Sequence, residues 1–306
     1  MLQFIVRRLI QTIPVVLGVT ILVFSLMHLI PGDPAQIMAG EAAPDAQVEA
    51  IRERLGLNDP LHVQYGKYMS NLLQGDLGQS IRSSRPVVDE IKARYWTTMQ
   101  LAIYSMALSV FIGLIAGIVS AVRKYSLLDS LLMIIALFGL SMPNFWLGLM
   151  LIKYVAIELV LVPPSGWGTW QQSILPIIAL GTAGAAIIAR MTRSSMLDVI
   201  NQDYIRTARA KGLKERIVIY KHSLKNALIP VVTVVGIEIG LLLSGTVITE
   251  TVFAINGMGR LVIDAIRSRD FPLVQGIVLV YALTFVVVNM LVDISYRYLN
   301  KRIDIN

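Results

Sequence analysis

Six apolar runs, each near the length of a membrane span, alternate with polar segments along this chain of 306 residues. A transmembrane helix needs about 20 mostly apolar residues, because a backbone in lipid must satisfy its own hydrogen bonds. The prolines of the third and fourth runs are tolerated in spans, where neighbouring helices re-satisfy the backbone. The pattern therefore predicts an all-α membrane protein with helices near 9–30, 99–121, 128–152, 174–192, 228–248 and 274–293.

Composition agrees with the pattern. Apolar residues make up 55% of the chain and charged residues 15%, whereas a soluble domain carries roughly 25% charged residues. The chain has no cysteine, which excludes disulfide and thiol chemistry.

The distribution of basic residues predicts the orientation, because Lys and Arg stay on the cytoplasmic side of a membrane. One set of loops holds Arg7 and Arg8, Arg123 and Lys124, the cluster at 203–225, and Arg297, Lys301 and Arg302. The opposite side holds 31–98, where seven basic residues face nine acidic ones. Both termini are therefore predicted to be cytoplasmic.

The long segment 31–98 is predicted to be an extracytoplasmic insertion between the first two spans. Within it, 45–57 has the spacing of an amphipathic helix ending at Gly56, and 63–75 predicts a second short helix. The predicted organisation is thus the first span at 1–30, the insertion at 31–98 and a core at 99–306.

Catalytic motifs are missing from the sequence. There is no Gly-rich P-loop, so the chain is not expected to bind nucleotide phosphates itself. The three histidines are far apart, and no nucleophile is paired with a base. We therefore expect no catalytic site, no metal site and no nucleic-acid partner on this chain.

Polar groups inside the predicted spans are the candidates for a translocation path. Inserting a carboxylate into the bilayer costs free energy, so such a residue usually has a function that offsets the cost. Glu238 lies in the middle of the fifth span, where it would line a path or fix helix packing through a hydrogen bond. Glu250, at the outer end of that span, would meet a cationic group or be solvated. Ser244 and Asn144 are the further candidates.

The basic stretch "DYIRTARAKGLKERIVIYKHSLK" (203–225) predicts a short helix capped by Asp203 and ended by Gly212 in a left-handed conformation. A second helix is predicted at about 214–226. Ile205, Ala208 and Gly212 would share a face of small residues suited to docking. The simpler alternative is a loop that only fixes topology and contacts anionic lipid.

This stretch resembles the cytoplasmic loop of ABC importer permeases, in which Glu-Ala-Ala and three further residues precede a glycine. Arg206-Thr207-Ala208 stands at the Glu-Ala-Ala positions here, and this departure resembles the peptide/nickel subfamily. Further segments resemble the same subfamily, among them "PGDPA", "GDLGQSIRSSRPV", "SMPNFWLG", "RMTRSSMLDVINQDY", "ETVFAINGMGRL" and "RDFPLVQG".

The resemblance implies a type I importer permease of a bacterial or archaeal cytoplasmic membrane. It implies a second homologous permease, two ATPase subunits that bind ATP and Mg²⁺, an extracytoplasmic substrate-binding protein and surrounding membrane lipid. The residues implied to contact an ATPase are Tyr204, Arg206, Thr207, Ala208, Arg209, Lys211 and Gly212.

The substrates implied are dipeptides or oligopeptides, with nickel, a nickel chelate or glutathione as alternatives. An ion-coupled secondary transporter is the alternative from another class. That alternative would show two repeated halves with broken helices, and no second copy is visible in the sequence.

Overall fold

A computed structural model describes residues 2–29, 33–40 and 42–299. Within these ranges the chain is helical, with one isolated antiparallel bridge between Gln79 and Pro86. The helices are α1 (Leu2–Leu29), α2 (Pro34–Ala39), α3 (Asp45–Leu55), α4 (Leu61–Leu73), α5 (Val87–Val122), α6 (Leu127–Ser141), α7 (Asn144–Leu151), α8 (Trp170–Ile200), α9 (Asp203–Ala210), α10 (Glu215–Ile217), α11 (Leu224–Val252), α12 (Met258–Arg267) and α13 (Phe271–Leu299). Two π-helical segments, Ile152–Glu158 and Val218–Ser223, follow α7 and α10.

The predicted all-α membrane class is confirmed. Among the described residues, four helical stretches are long and apolar enough to cross a bilayer: Val87–Val122, Trp170–Ile200, Glu215–Val252 and Phe271–Val292. A bent pair, Leu127–Ser141 with Asn144–Glu158, makes a fifth if it is counted as one span. The first predicted span contains a shorter apolar stretch at Ile10–Ser25.

The third predicted span differs from a single straight helix. The chain bends by 101° between α6 and α7. Pro143 has no amide hydrogen to donate and disfavours helical geometry at the preceding residue, so Met142 is extended, with φ −81° and ψ 126°. The Ser141 hydroxyl donates to the Leu137 carbonyl at 2.9 Å, which satisfies a backbone group beside the break. Pro176, in contrast, lies inside an unbroken α8.

Two compact units divide the chain. One contains residues up to Trp96 together with Arg260–Val287, and the other contains Thr97–Gly259 together with residues from Val288. The predicted insertion 31–98 differs at its end, because α5 already begins at Val87. Its last residues are therefore the first turns of the second span.

Both helices predicted within the insertion are confirmed as α3 and α4. Gly56 ends α3 with φ +67°, and the amides of Gly56 and Leu57 donate to the Glu53 and Arg52 carbonyls at 3.0 Å each. The left-handed conformation costs glycine little free energy, since glycine has no Cβ.

Asp270 joins two segments of the first unit that lie far apart in the sequence. It is 1% exposed, and its carboxylate accepts hydrogen bonds from the Ser80 hydroxyl at 2.5 Å and from the amides of Ile81 and Arg82 at 3.1 and 3.3 Å. It also accepts from the Leu273 amide at 3.3 Å, so it caps α13. The loop after Gly78 is therefore held by the residue that starts α13.

In the second unit, α8 packs closely against α5 through glycines. A Cβ added to Gly113 would lie 2.6 Å from Ile188, and one added to Gly117 would lie 2.5 Å from Thr192. A Cβ on Gly181 would lie 2.9 Å from the Ser105 carbonyl. Small residues at these positions let the two backbones approach, as is common between membrane helices.

Replacing Asp270 by alanine should loosen the loop 79–86, because each buried donor left unpaired costs about 1–3 kcal/mol. We expect trypsin to cleave after Arg82 faster in the D270A variant than in the wild type, measured by limited proteolysis of the purified protein. The exposed Asp264 lies 4.0 Å from Arg260, and D264A serves as the matched control. Equal cleavage rates in D270A, D264A and the wild type would contradict this role.

Candidate coupling surface and path residues

Helix α9 begins at Asp203, and Gln202 is its N-cap residue. The prediction that Asp203 caps the helix is wrong, since no side chain makes a cap hydrogen bond here. Gln202 is extended, with φ −73° and ψ 150°, so Asp203 is already in the first turn. A carboxylate in the first turn still interacts favourably with the positive end of the helix dipole.

The end of α9 has the predicted geometry. Gly212 is left-handed with φ +73°. The Gly212 amide donates to the Arg209 carbonyl at 2.9 Å, and the Leu213 amide donates to the Ala208 carbonyl at 3.4 Å. These two bonds form a Schellman motif, which turns the chain sharply after the helix.

Most of the α9 face that was predicted to dock a partner packs against α8 and the second π-helical segment. Ile205 and Ala208 are buried, and they cluster with Val218 of the second π-helical segment and with Val199 of α8. Burial of these apolar side chains fixes α9 on the second unit. Of the face predicted to dock, Ile205 and Ala208 are therefore covered within this chain, whereas Gly212 is exposed; the contact with an ATPase stays a prediction.

The opposite face of α9 is exposed. It carries Asp203, Arg206, Thr207 and Ala210, which share one side of a helix at i, i+3, i+4 and i+7. Arg206 and Asp203 approach only to 3.6 Å and are largely exposed. Lys211 and Gly212 continue this exposed surface past the helix end. We call these six residues the α9 outer face.

Tyr204 and Arg209 are engaged within the chain. The Asn226 amide donates to the Tyr204 hydroxyl at 2.7 Å, which joins α9 to α11. Arg209 donates through Nε and Nη2 to the Glu215 carboxylate at 3.1 and 2.8 Å. The hydrogen bond to Glu215 raises the pKa of Arg209 above its ordinary value. Both residues orient α9 rather than extend its outer face.

The second predicted helix of the loop, at about 214–226, is the start of a longer one. Helix α10, the π-helical segment and α11 form one stretch, Glu215–Val252. In the π-helical segment the Ser223 hydroxyl donates to the Val218 carbonyl at 3.1 Å. A single π turn inside an α-helix is often found at functional sites.

Glu238 is 6% exposed and lies where α11 meets α8 and α5. A Cβ added to Gly184 of α8 would lie 3.5 Å from its Oε2 and 3.0 Å from the Ser109 hydroxyl. Ser109 in turn donates to the carbonyls of Ser105 and Gly181 at 2.8 and 2.7 Å. Glu238 thus lies against α8 inside the protein, and both its packing role and its role in a translocation path stay predictions.

Glu250 is fully buried, so its interpretation as a solvated residue is wrong. The Thr98 hydroxyl donates to its carboxylate at 2.6 Å and accepts from the Met258 amide at 2.8 Å. Gly257 also lies against this carboxylate, where any Cβ would clash. Glu250 thus holds the turn after α11.

Asn144 lies close to Gly245 of α11, the residue that follows Ser244 in the sequence. A Cβ on Gly245 would lie 3.8 Å from the Asn144 amide nitrogen. Ser244 is exposed on α11 and donates to the Gly240 carbonyl at 3.4 Å. It shares an exposed stripe with Thr233, Ile237, Leu241 and Ile248. Ser244 therefore lies on an open face of α11, and the role of both residues in a translocation path stays a prediction.

An ion pair that the sequence did not predict lies in this unit, between the buried Asp129 and the partly exposed Arg193. The Asp129 carboxylate accepts from Arg193 Nε and Nη2 at 2.7 and 2.8 Å. The sequence did indicate a helix start here, because Ser126 and Asp129 have the spacing of a capping box before an apolar run. That local spacing gives no sign of the partner Arg193. Ser126 is indeed the N-cap of α6.

Two family descriptions match the chain. "Binding-protein-dependent transport system inner membrane component" matches residues 109–305, and the N-terminal component of the same systems matches residues 1–102. The chain belongs to this family. It is a multi-pass inner-membrane permease of the ABC importer type, and such permeases work with ATPase and substrate-binding components. The family is one of transport components, not of catalytic chains.

Curated relatives match over nearly the whole length. The chain is 47% identical to the dipeptide transport system permease protein DppB of Alkalihalophilus pseudofirmus, with 99% of each chain covered. It is 45% identical to the glutathione transport system permease protein GsiC of Escherichia coli O6:H1, also with 99% of each covered.

Solved structures share the fold. The inward-facing MetNI methionine ABC transporter matches with a TM-score of 0.60 at 19% identity, covering 69% of this chain and 96% of that one. An amino acid ABC transporter with histidines matches with a TM-score of 0.53 at 17% identity, covering 69% and 94%.

The turn at Gly212 gives a specific prediction. An added Cβ would meet nothing within 4 Å, so Gly212→Val acts through its backbone, where the left-handed region costs roughly 1–2 kcal/mol and more for a β-branched residue. We expect normal membrane insertion, but weaker stimulation of ATP hydrolysis by the loaded binding protein in the assembled complex.

The matched variant is Gly212→Asn, because asparagine tolerates the left-handed region. It should stay close to the wild type in the same ATPase measurement. Wild-type stimulation in Gly212→Val, or an equal loss in both variants, would argue against the turn as the cause.

Proposed function

We propose that this chain is the permease subunit of an ATP-driven importer of short peptides. The observation that carries the proposal is full-length similarity at 45–47% identity to permeases named for dipeptide and for glutathione transport. Glutathione is itself a tripeptide, so the two names describe one chemical class. Dipeptides and oligopeptides are the main substrates proposed, with glutathione as the second candidate.

The importer we propose contains a second permease homologous to this one, two ATPase subunits that bind ATP and Mg²⁺, and an extracytoplasmic binding protein. The missing P-loop supports ATP hydrolysis on separate chains. The open face of α11, with Ser244 and Ile248 exposed on it, supports a second membrane subunit. The α9 outer face is the surface we propose for one ATPase, on the side that the basic loops predict to be cytoplasmic.

Within this surface, Arg206, Thr207, Lys211 and Gly212 are the contact residues we propose. Tyr204 and Arg209 hold α9 in place through hydrogen bonds within the chain, and Ala208 does so through apolar contacts. Two positive charges beside the small Ala210 would suit a groove with acidic walls, because the small side chain permits a close approach while Arg206 and Lys211 orient the contact.

The alternative substrate, nickel or a nickel chelate, needs the same subunits and is separated from peptides by experiment. An ion-coupled secondary transporter does not agree with membership in a binding-protein-dependent family.

Uptake into proteoliposomes tests the proposal. The vesicles would contain this permease, its partner permease and both ATPases, with Mg-ATP on the ATPase side and the binding protein on the other. We expect accumulation of labelled dialanine or glutathione, competed by unlabelled short peptides and lost when the ATPases are omitted.

Competition by a nickel–histidine chelate without competition by peptides would assign the nickel alternative. Uptake that continues without ATPases under an ion gradient would overturn the importer itself.

A further inference from the structure

The pair of Asp129 and Arg193 joins α8 to α6 beside the turn between α5 and α6. Asp129 is 3% exposed, and Arg193 reaches it from α8 through two parallel hydrogen bonds, at 2.7 and 2.8 Å. Bidentate pairs of this kind fix geometry as well as charge. The segment "RMTRSSMLDVINQDY", which contains Arg193, runs directly from α8 into α9.

The same carboxylate also holds the turn at 123–126. The Ser120 hydroxyl of α5 donates to Asp129 through a short hydrogen bond, and the Tyr125 amide donates to it at 3.0 Å. Tyr125 has φ +63°, a conformation that a non-glycine residue adopts at a cost. One carboxylate therefore joins α5, the strained turn, α6 and α8.

Packing continues from this pair to α9 without a gap. Met196, one turn beyond Arg193, clusters with Ile118 of α5 and with Ile219 and Ala227. The Ser195 hydroxyl donates to the Ala227 carbonyl at 2.8 Å, which joins α8 to α11. Val199 then contacts the buried face of α9. Every link lies in the second unit.

We propose that Asp129 and Arg193 are positioning residues that couple movement of α9 to α5 and α6. This proposal rests on the proposed function, because α9 must be the element that an ATPase moves. When an ATPase displaces α9, the contact with Val199 moves α8 as well. The ion pair then moves the α5–α6 turn together with α8. Without the pair, the glycine contacts still hold α5 against α8, but the α5–α6 turn and the start of α6 are no longer joined to α8 at this point.

A purely structural ion pair makes a different prediction from a coupling pair. Removing one partner leaves a buried charge unpaired and destabilises the protein, whereas removing both is often close to neutral. The variant R193Q leaves the buried Asp129 carboxylate without its cation and should lose thermal stability. D129N should lose less, because the Arg193 side chain is 26% exposed and can be solvated. The double variant D129N/R193Q should recover the stability lost in R193Q. If the pair only stabilises the fold, coupling recovers together with stability.

The experiment measures two quantities in the assembled complex for each variant. One is the melting temperature, and the other is the ratio of ATP hydrolysis with and without loaded binding protein. We expect the double variant to regain the melting temperature while this ratio falls by about 2- to 30-fold, the range for residues that modulate coupling between sites. R193K should fall between the wild type and R193Q, because lysine keeps the charge but loses the bidentate geometry.

Arg190 provides the matched control. It lies on the same helix three residues earlier and is exposed, so R190Q should leave both quantities unchanged. A double variant with wild-type stability and a wild-type ratio would overturn the proposal. So would an equal fall in R190Q, because the effect would then follow the loss of any basic residue on α8.

The ratio of ATP hydrolysis with and without loaded binding protein can be measured whatever the transported substrate is, so this test does not depend on the substrate class. A wild-type complex that is stimulated by its binding protein but moves no peptide would contradict the proposed substrate class. The comparison of D129N/R193Q with R190Q would still decide the role of the pair.

Discussion

The close approach of α8 to α5 is the contact on which the second unit depends. Gly113, Gly117 and Gly181 leave no room for a side chain between the two helices, so their backbones are in direct contact over several turns. Lipid tails are as apolar as the side chains they would exchange with, and helix association in a membrane must come from such packing and from polar contacts. With α8 fixed in this way, the place of α9 follows, since only Asn201 and Gln202 separate the two helices.

Polar residues in this protein hold the connections between helices in place. Asp270 holds the loop 79–86 at the start of α13, Glu250 holds the turn after α11, and Asp129 holds the turn before α6. Each is a buried carboxylate: Asp270 and Asp129 accept from several donors, and Glu250 accepts from Thr98. Hydrogen bonds of this kind offset the cost of burying a polar group. An importer that moves its helices needs turns that keep their shape, and these three carboxylates provide it.

The local part of this architecture follows from the sequence, and the long-range part does not. Apolar runs gave the spans, and Gly56 and Gly212 gave the ends of two helices, because these signals depend on residues within one or two turns. The bend at Met142 was missed because a proline is compatible with either a kink or a full break. The side of α9 that is covered depends on Val199 and Val218, which lie outside that helix, so its periodicity identified the face but not its partner. The pairs Asp129–Arg193 and Ser80–Asp270 join residues 64 and 190 positions apart, where no local pattern reaches.

The central claim is that α9 and the α5–α6 turn move as one body when the ATPases close. The chain has no cysteine, so spin labels can be placed at Q202C, the N-cap residue of α9 that lies outside its outer face, and at K124C in the turn, without other changes to this chain. Pulsed electron paramagnetic resonance would measure this distance in the assembled complex, at rest and trapped with ATP and vanadate, with a label pair between α9 and an ATPase subunit as the reference for movement. We expect an unchanged distance between 202 and 124 while the reference distance changes. A shift between 202 and 124 of the same size as the reference shift would contradict the proposal.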